Sequence, residues 1–267
     1  MPSNVEPTQA PPALRRVAIV AGEASGDQLG ADLITALRAR HPGMDVVGMA
    51  GPRMVAAGCR PLAQVDELAV MGLVEVLRHY PRLRRLRRRL IDELLAYRPD
   101  VLIGIDVPDF TLEIERRARL SGIPAVHYVC PQVWAWRAGR LPAIRAAVDL
   151  VLALFPFEVP FLREHGIAAA FVGHPLADRI PVDPDRRGIR AALLPDGNAA
   201  AGPLLAVLPG SRRQELARHA GLFLAAARTL RARRPDLRIV CGALNASAAD
   251  EVRRHLGDWS EGPVPEI

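Results

Sequence analysis

Short apolar runs alternate along this chain with longer stretches in which apolar residues recur every three or four positions. The runs at 16–21 (RVAIVA), 45–49, 101–105 (VLIGI), 125–129, 149–154, 169–172, 204–208 (LLAVL) and 237–242 read as strands. The run at 101–105 is the clearest, with no polar alternation, which fits a strand buried on both faces of a parallel sheet. Between the strands, 28–40, 81–97, 111–120, 157–165, 214–234 and 246–256 read as helices. In 81–97, Leu83, Leu86, Leu90 and Leu94 fall on one face, and arginines fill the rest. Strand and helix alternate almost throughout, so the fold class is α/β. Residues 1–15, rich in proline, read as a disordered lead-in. A first domain spans 16–180, and 181–202, rich in Pro, Asp, Gly and Ala, is the expected linker. A second domain opens at 203. Its 203–267 stretch is short of the ~120 residues such a half takes, so this domain is expected to be incomplete in the chain.

The strand ends carry the candidate chemistry. Asp106 closes the central apolar run and Pro108 stops it. A carboxylate there sits where open α/β sheets hold ligands, although capping a turn explains it equally well. Asp109 reads as the N-cap of the following helix. The first strand runs into Gly22-Glu23-Ala24-Ser25-Gly26-Asp27 and then a helix, the opening of a Rossmann-like unit. That turn is not the dinucleotide fingerprint, and its carboxylates would repel a pyrophosphate. Glu23, Ser25 and Asp27 therefore read as facing a sugar or polar headgroup, with plain helix capping as the alternative for Ser25 and Asp27. The loop through Trp134, Trp136 and Arg137 can wall a sugar site by ring stacking and phosphate pairing, or the tryptophans can pack in the core. His174 can act as acid, base or ligand, or simply satisfy a local hydrogen bond. Asp183 and Asp185 formally match a metal-binding pair, but capping suits them better. In the second domain, Gly210, Ser211 and Arg212 lie between a buried strand and a long helix, an arrangement suited to phosphate.

Charge narrows the partners. The net charge is +6, its basic side entirely arginine with no lysine, and the pI is near 10.1. An acidic partner follows: nucleic acid, an anionic lipid surface or a phosphorylated small molecule. Aromatic residues make up only 4% of the chain and do not interleave with the basic ones, which disfavours nucleic acid. Seven arginines crowd 78–89 just after the apolar stretch at 70–76. Val70, Met71 and Leu73 beside Arg84, Arg85, Arg87 and Arg88 read as a peripheral membrane surface, or else as a packed segment beside a solvated helix. No apolar stretch reaches the ~18 residues of a membrane span. Cys59, Cys130 and Cys241 lie far apart without metal spacing and read as reduced thiols of a cytoplasmic protein.

Eight stretches in order carry a resemblance: VAGEASGD at 20–27, GMAGPRM at 48–54, ELAVMGLVEVL at 67–77 and RPDVLIGIDVPDF at 98–110, then HYVCPQVWAWR at 127–137, LALFPFE at 152–158, VGHPLAD at 172–178 and LPGSR at 208–212. Any one would be ordinary; together they resemble the lipid-A-disaccharide synthase family. The resemblance implies a GT-B-type glycosyltransferase, with two Rossmann-like domains facing across a cleft. It implies an inverting, metal-free transfer without cofactor, in lipid A biosynthesis. UDP-2,3-diacylglucosamine and 2,3-diacylglucosamine 1-phosphate would give the β-1,6 disaccharide and UDP. The setting would be the cytoplasmic face of the inner membrane, on its anionic surface. It also implies that Asp106 is the base, while a homodimer is left open. Two other functions remain: a truncated, non-catalytic lipid-binding module, and a sugar-nucleotide epimerase of the same architecture.

Overall fold

In the computed structural model, described for residues 14–69, 76–194, 202–211, 213–257 and 259, the chain forms two compact units divided between Ile180 and Pro181. The first runs β1 (Arg16–Ala21), α1 (Ala24–Arg40), β2 (Asp45–Ala50), α2 (Pro52–Ala56), β3 (Arg60–Gln64), α3 (Asp66–Ala69), α4 (Val76–Tyr97) and β4 (Val101–Ile105). It continues with α5 (Pro108–Leu120), β5 (Ala125–Tyr128), α6 (Leu141–Ala147), β6 (Leu150–Ala153), α7 (Glu158–Glu164), β7 (Ala169–Phe171) and α8 (Leu176–Arg179). All pairings are parallel, in the order β3-β2-β1-β4-β5-β6-β7.

Both faces of this sheet are covered, as uninterrupted apolar strands require. Alternate residues go to opposite sides. Val17, Ile19, Ala21, Ile103 and Ile105 pack with Ile34 and Met54 of α1 and α2. Ala18, Val20 and Leu102 pack with Leu86, Leu90 and Leu94 of α4 and Phe110 and Ile114 of α5. The strand order reverses between β1 and β4, and ligand crevices open at the carboxyl ends beside such a reversal.

The second unit holds α9 (Arg186–Leu193), β8 (Leu204–Val207), α10 (Arg213–Arg233), β9 (Arg238–Cys241) and α11 (Ala246–Leu256). Its two strands pair in parallel, and Leu224, Ile239 and Val252 fill its core. The stretch expected as a linker contains α9, because Asp185 caps it by accepting from the Gly188 amide at 2.9 Å. The capping reading of Asp185 therefore holds.

Three local expectations change. α1 begins at Ala24, so Ser25, Gly26 and Asp27 form a helical turn, not a loop. α4 begins at Val76 and takes Pro81 inside it, where the sequence suggested a start. β3 had no apolar signal because it is a sheet-edge strand carrying Pro61, which an edge tolerates.

Candidate functional site

Two loops meet at the sheet reversal. Asp106 follows β4 half-buried, with φ +53, and Val107 follows with φ +45. A left-handed conformation is unusual for any side chain and an outlier for a β-branched one. The surroundings enforce it. The Asp106 amide donates to the Tyr128 carbonyl at 3.0 Å. Thr111 Oγ1 donates to the Asp106 carbonyl at 2.9 Å and lies 3.2 Å from that of Val107. Backbone strain held by neighbours in this way clusters at functional sites. From the other side, Gly22 after β1 comes so close that a Cβ there would lie 2.7 Å from Val107 Cγ2. Asp106 thus stands at the carboxyl end of β4 beside the β1 loop.

Asp109 does not cap α5. Val107 holds the N-cap position without a side-chain hydrogen bond. With the helix starting at Pro108, Asp109 is already inside its first turn and points outward. It is bonded to Arg140, and Arg137 Nη1 lies 3.7 Å from it. This clasp ties the first turn of α5 to the stretch after β5. There the Arg137 guanidinium lies 4.1 Å above the Trp136 ring. Trp134 meets Phe157 edge-on at 5.0 Å, and Phe155 stacks on Phe157 at 5.9 Å. Trp134 is 43% and Trp136 56% exposed, so core packing does not account for either.

Of the three residues expected after β1, Glu23 holds the N-cap position of α1 and Ser25 is exposed. Asp27 requires a correction. It is only 2% exposed. Its Oδ1 accepts from the amides of Gly51 at 2.9 Å and Met54 at 3.0 Å, and its Oδ2 from Arg53 at 3.0 Å. The carboxylate caps α2 from a neighbouring helix and fills the anion site at that N-terminus. It is not turned toward a ligand. His174 shows the local bond that was the plainer expectation: its Nδ1 accepts from the Leu176 amide at 3.1 Å.

In the second unit, Gly210 and Ser211 follow β8, and Arg212 lies outside the described residues. The Ser211 amide, an expected phosphate donor, already donates to Glu215 Oε2 at 3.1 Å. Glu215 sits one turn into α10 and supplies its own anion there. Val70, Met71 and Leu73 also lie outside the described residues. On α4, Arg84, Arg85 and Arg88 are exposed, whereas Arg87 turns inward and donates to the Asp109 carbonyl at 3.2 Å. No described helix is long and apolar enough to cross a membrane. The three thiols are buried, and burial pushes Cys59 and Cys130 up to about 12 and Cys241 to about 11, which leaves none of them a ready nucleophile.

Sequence reasoning missed Glu115 on α5 and His127 on β5, a fully buried pair 2.7 Å apart. The available signal was a histidine inside a strand otherwise fit for burial.

Comparison with known proteins follows the same lines. Residues 17–256 match the family described as lipid-A-disaccharide synthetase. The lipid-A-disaccharide synthase of Alkalilimnicola ehrlichii is 54% identical over 227 residues, covering 84% of this chain and 59% of that protein. The lipid-A-disaccharide synthase of Pseudomonas aeruginosa is 52% identical over 241 residues, 90% of this chain and 63% of its own length. The chain therefore spans about three fifths of these relatives. Among solved structures, UDP-GlcNAc 2-epimerase from Neisseria meningitidis aligns with TM-score 0.60 at 13% identity, covering 94% of this chain and 72% of that one. The calicheamicin glycosyltransferase CalG4 aligns with TM-score 0.52 at 15% identity, covering 94% and 69%. At such identities these likenesses establish the fold alone: α/β of the GT-B kind.

Proposed function

Because the chain belongs to the lipid-A-disaccharide synthetase family, we propose that it serves as the glycosyltransferase that builds the lipid A disaccharide. UDP-2,3-diacylglucosamine is the donor and 2,3-diacylglucosamine 1-phosphate the acceptor. The products are the β-1,6-linked disaccharide 1-phosphate and UDP. The observation that carries this reading is Asp106 itself, its backbone held in a strained turn at the carboxyl end of β4 where the strand order reverses. Asp106 takes the proton from the acceptor hydroxyl as its oxygen attacks the anomeric carbon of the donor. The bond from that carbon to the UDP oxygen breaks, UDP leaves with the electron pair, and the configuration inverts. Gly210, Ser211 and Arg212, which the sequence puts between a buried strand and a long helix, would stabilise the departing diphosphate. For the Ser211 amide to take part, Glu215 must release it.

Trp136 and Arg137 wall the sugar side of this site, a role supported by their exposure and stacking. The protein works at the cytoplasmic face of the inner membrane. There 70–76 and the exposed Arg84, Arg85 and Arg88 of α4 meet anionic headgroups.

A product assay tests the reading. The chain, alone and joined to the C-terminal third of the Pseudomonas aeruginosa relative, is incubated with both lipids and analysed by mass spectrometry. Disaccharide 1-phosphate and UDP in equal amounts are expected from the joined protein. An epimerised UDP-sugar without joining, or acceptor binding without turnover, would replace the proposal with an epimerase or a binding module.

A further inference from the structure

The carboxyl edge of the first unit's sheet carries apolar surface that the transfer chemistry leaves unused. Among the described residues, every exposed phenylalanine or tryptophan except Phe223 ends β7 or lies in the stretches after β5 and β6. These are Trp134, Trp136, Phe155, Phe157 and Phe171. Trp134, Phe157 and Phe155 form one contiguous cluster, edge-on and then stacked. Phe155 is 50% and Phe157 49% exposed, so the cluster keeps an open apolar face. Apolar surface gathered in one place, unlike single exposed side chains, marks a site of binding.

The cluster rests on a fixed frame. Val133 is sunk in the core with Ile144 and Leu162, which anchors the stretch that holds Trp134 and Trp136 outside. The Phe155 amide donates to Oε2 of the buried Glu158 at 3.0 Å, and the Glu158 amide donates back to the Phe155 carbonyl at 3.2 Å. This reciprocal pair fixes the turn that carries Phe155 and Phe157 into α7. Rings already held in place lose little freedom when a ligand covers them.

Position identifies the occupant. The parallel order β4-β5-β6-β7 puts Asp106, the tryptophans, the phenylalanine turn and Phe171 at successive strand ends. Three spacings of about 4.8 Å make a row roughly 14 Å long, comparable with an extended acyl chain of medium length. Arg137, beside Asp109 and above the Trp136 ring, joins this row to the first turn of α5. A protein seated on the row would also cover that wall and obstruct Asp106, so the occupant belongs to the molecule on which Asp106 acts. Sugar and phosphate offer little apolar area, whereas an acyl chain is apolar throughout. We propose that Trp134, Phe155 and Phe157 form the subsite for an acyl chain of the acceptor lipid and read its length. The inference rests on the transfer proposed above, in which the acceptor lies beside Asp106.

The test measures binding of 2,3-diacylglucosamine 1-phosphate to this chain by calorimetry. A series of acyl lengths is used, each below its micelle concentration, beside glucosamine 1-phosphate and UDP. Full burial of a methylene tightens binding about fourfold, and on rings that stay half open about twofold per methylene is expected. Trp134→Ala with Phe157→Ala should flatten this dependence and leave glucosamine 1-phosphate and UDP unaffected. Phe155→Ala alone, which keeps the Trp134–Phe157 contact, should weaken the dependence in part and guards against misfolding of the double variant. A dependence that survives these changes, or is absent from the wild type, overturns the inference. An equal loss for glucosamine 1-phosphate, or a loss confined to UDP, makes the rings a sugar or base platform and also overturns it. In the joined protein, the double variant should raise KM for a long-chain acceptor about tenfold and for a short-chain one much less. Disaccharide formation with both KM values unmoved overturns the subsite and leaves the transfer standing. Length-dependent binding that the double variant loses, without any disaccharide from the joined protein, overturns the transfer and supports the subsite.

Discussion

Replacing Asp27 by asparagine separates a structural carboxylate from a ligand-binding one. In the wild type, Oδ1 accepts two backbone amides and Oδ2 a third, all at 2.9–3.0 Å and largely shielded from water. Asparagine can keep the two bonds to its oxygen, but as neutral bonds worth roughly half of charge-assisted ones. Its amide nitrogen would face the Arg53 amide, donor against donor, and the third bond would be lost. With charge-assisted bonds at about 2 kcal/mol each, one lost and two halved come to about 4 kcal/mol. For a unit of this size, about 4 kcal/mol lowers the melting temperature by roughly 10 °C. The assay is thermal unfolding followed by circular dichroism, beside Ser25→Ala as a control at an exposed neighbour, where a change under about 0.5 kcal/mol is expected. Gly51→Ala should imitate the loss, because a Cβ there would lie 2.5 Å from Asp27 Oδ2. A melting temperature unchanged in Asp27→Asn, with impaired substrate binding, would refute the capping role and restore Asp27 to the ligand.

Asp109→Ala should cost less than about 1 kcal/mol in urea unfolding, since it breaks an exposed pairing and not a helix cap; a loss above about 2 kcal/mol would contradict that assignment. Because the folded-state pKa of His127 is raised, its contribution to stability is complete below pH ~6.5 and disappears as pH rises through the folded value. Wild-type urea midpoints should fall over that window, and Glu115→Gln should show a weaker dependence; equal slopes would exclude the linkage. The chain should co-sediment with anionic vesicles more than with neutral ones, by about 1 kcal/mol per engaged arginine. Arg84→Ser with Arg85→Ser and Arg88→Ser should remove the salt-sensitive part of that binding, and an unchanged salt dependence would show these arginines to be merely solvated.

The sheet was legible because its strands are buried on both faces and so appear as plain apolar runs. The run at 101–105 matches β4 residue for residue. Strand β3 was not legible: its RPLAQ sequence sits at the sheet edge, where burial imposes no apolar pattern. Asp106 could be placed from sequence because position after a central strand defines it. Asp27 could not, because its partners lie on α2, 24 and more residues away, and no local pattern distinguishes a distant cap from a ligand contact. The Glu115–His127 pair was hidden for a similar reason. Its physical meaning depends on the space left by Gly104 on a third element.

The central claim is that Asp106 removes the acceptor proton, and single-turnover transfer with Asp106→Ala in the joined protein tests it most directly. With both lipids bound at saturating concentration, the account predicts that disaccharide formation slows by about 10²–10⁴, while binding of donor and acceptor is unchanged. Transfer at the wild-type rate with both lipids bound would contradict it.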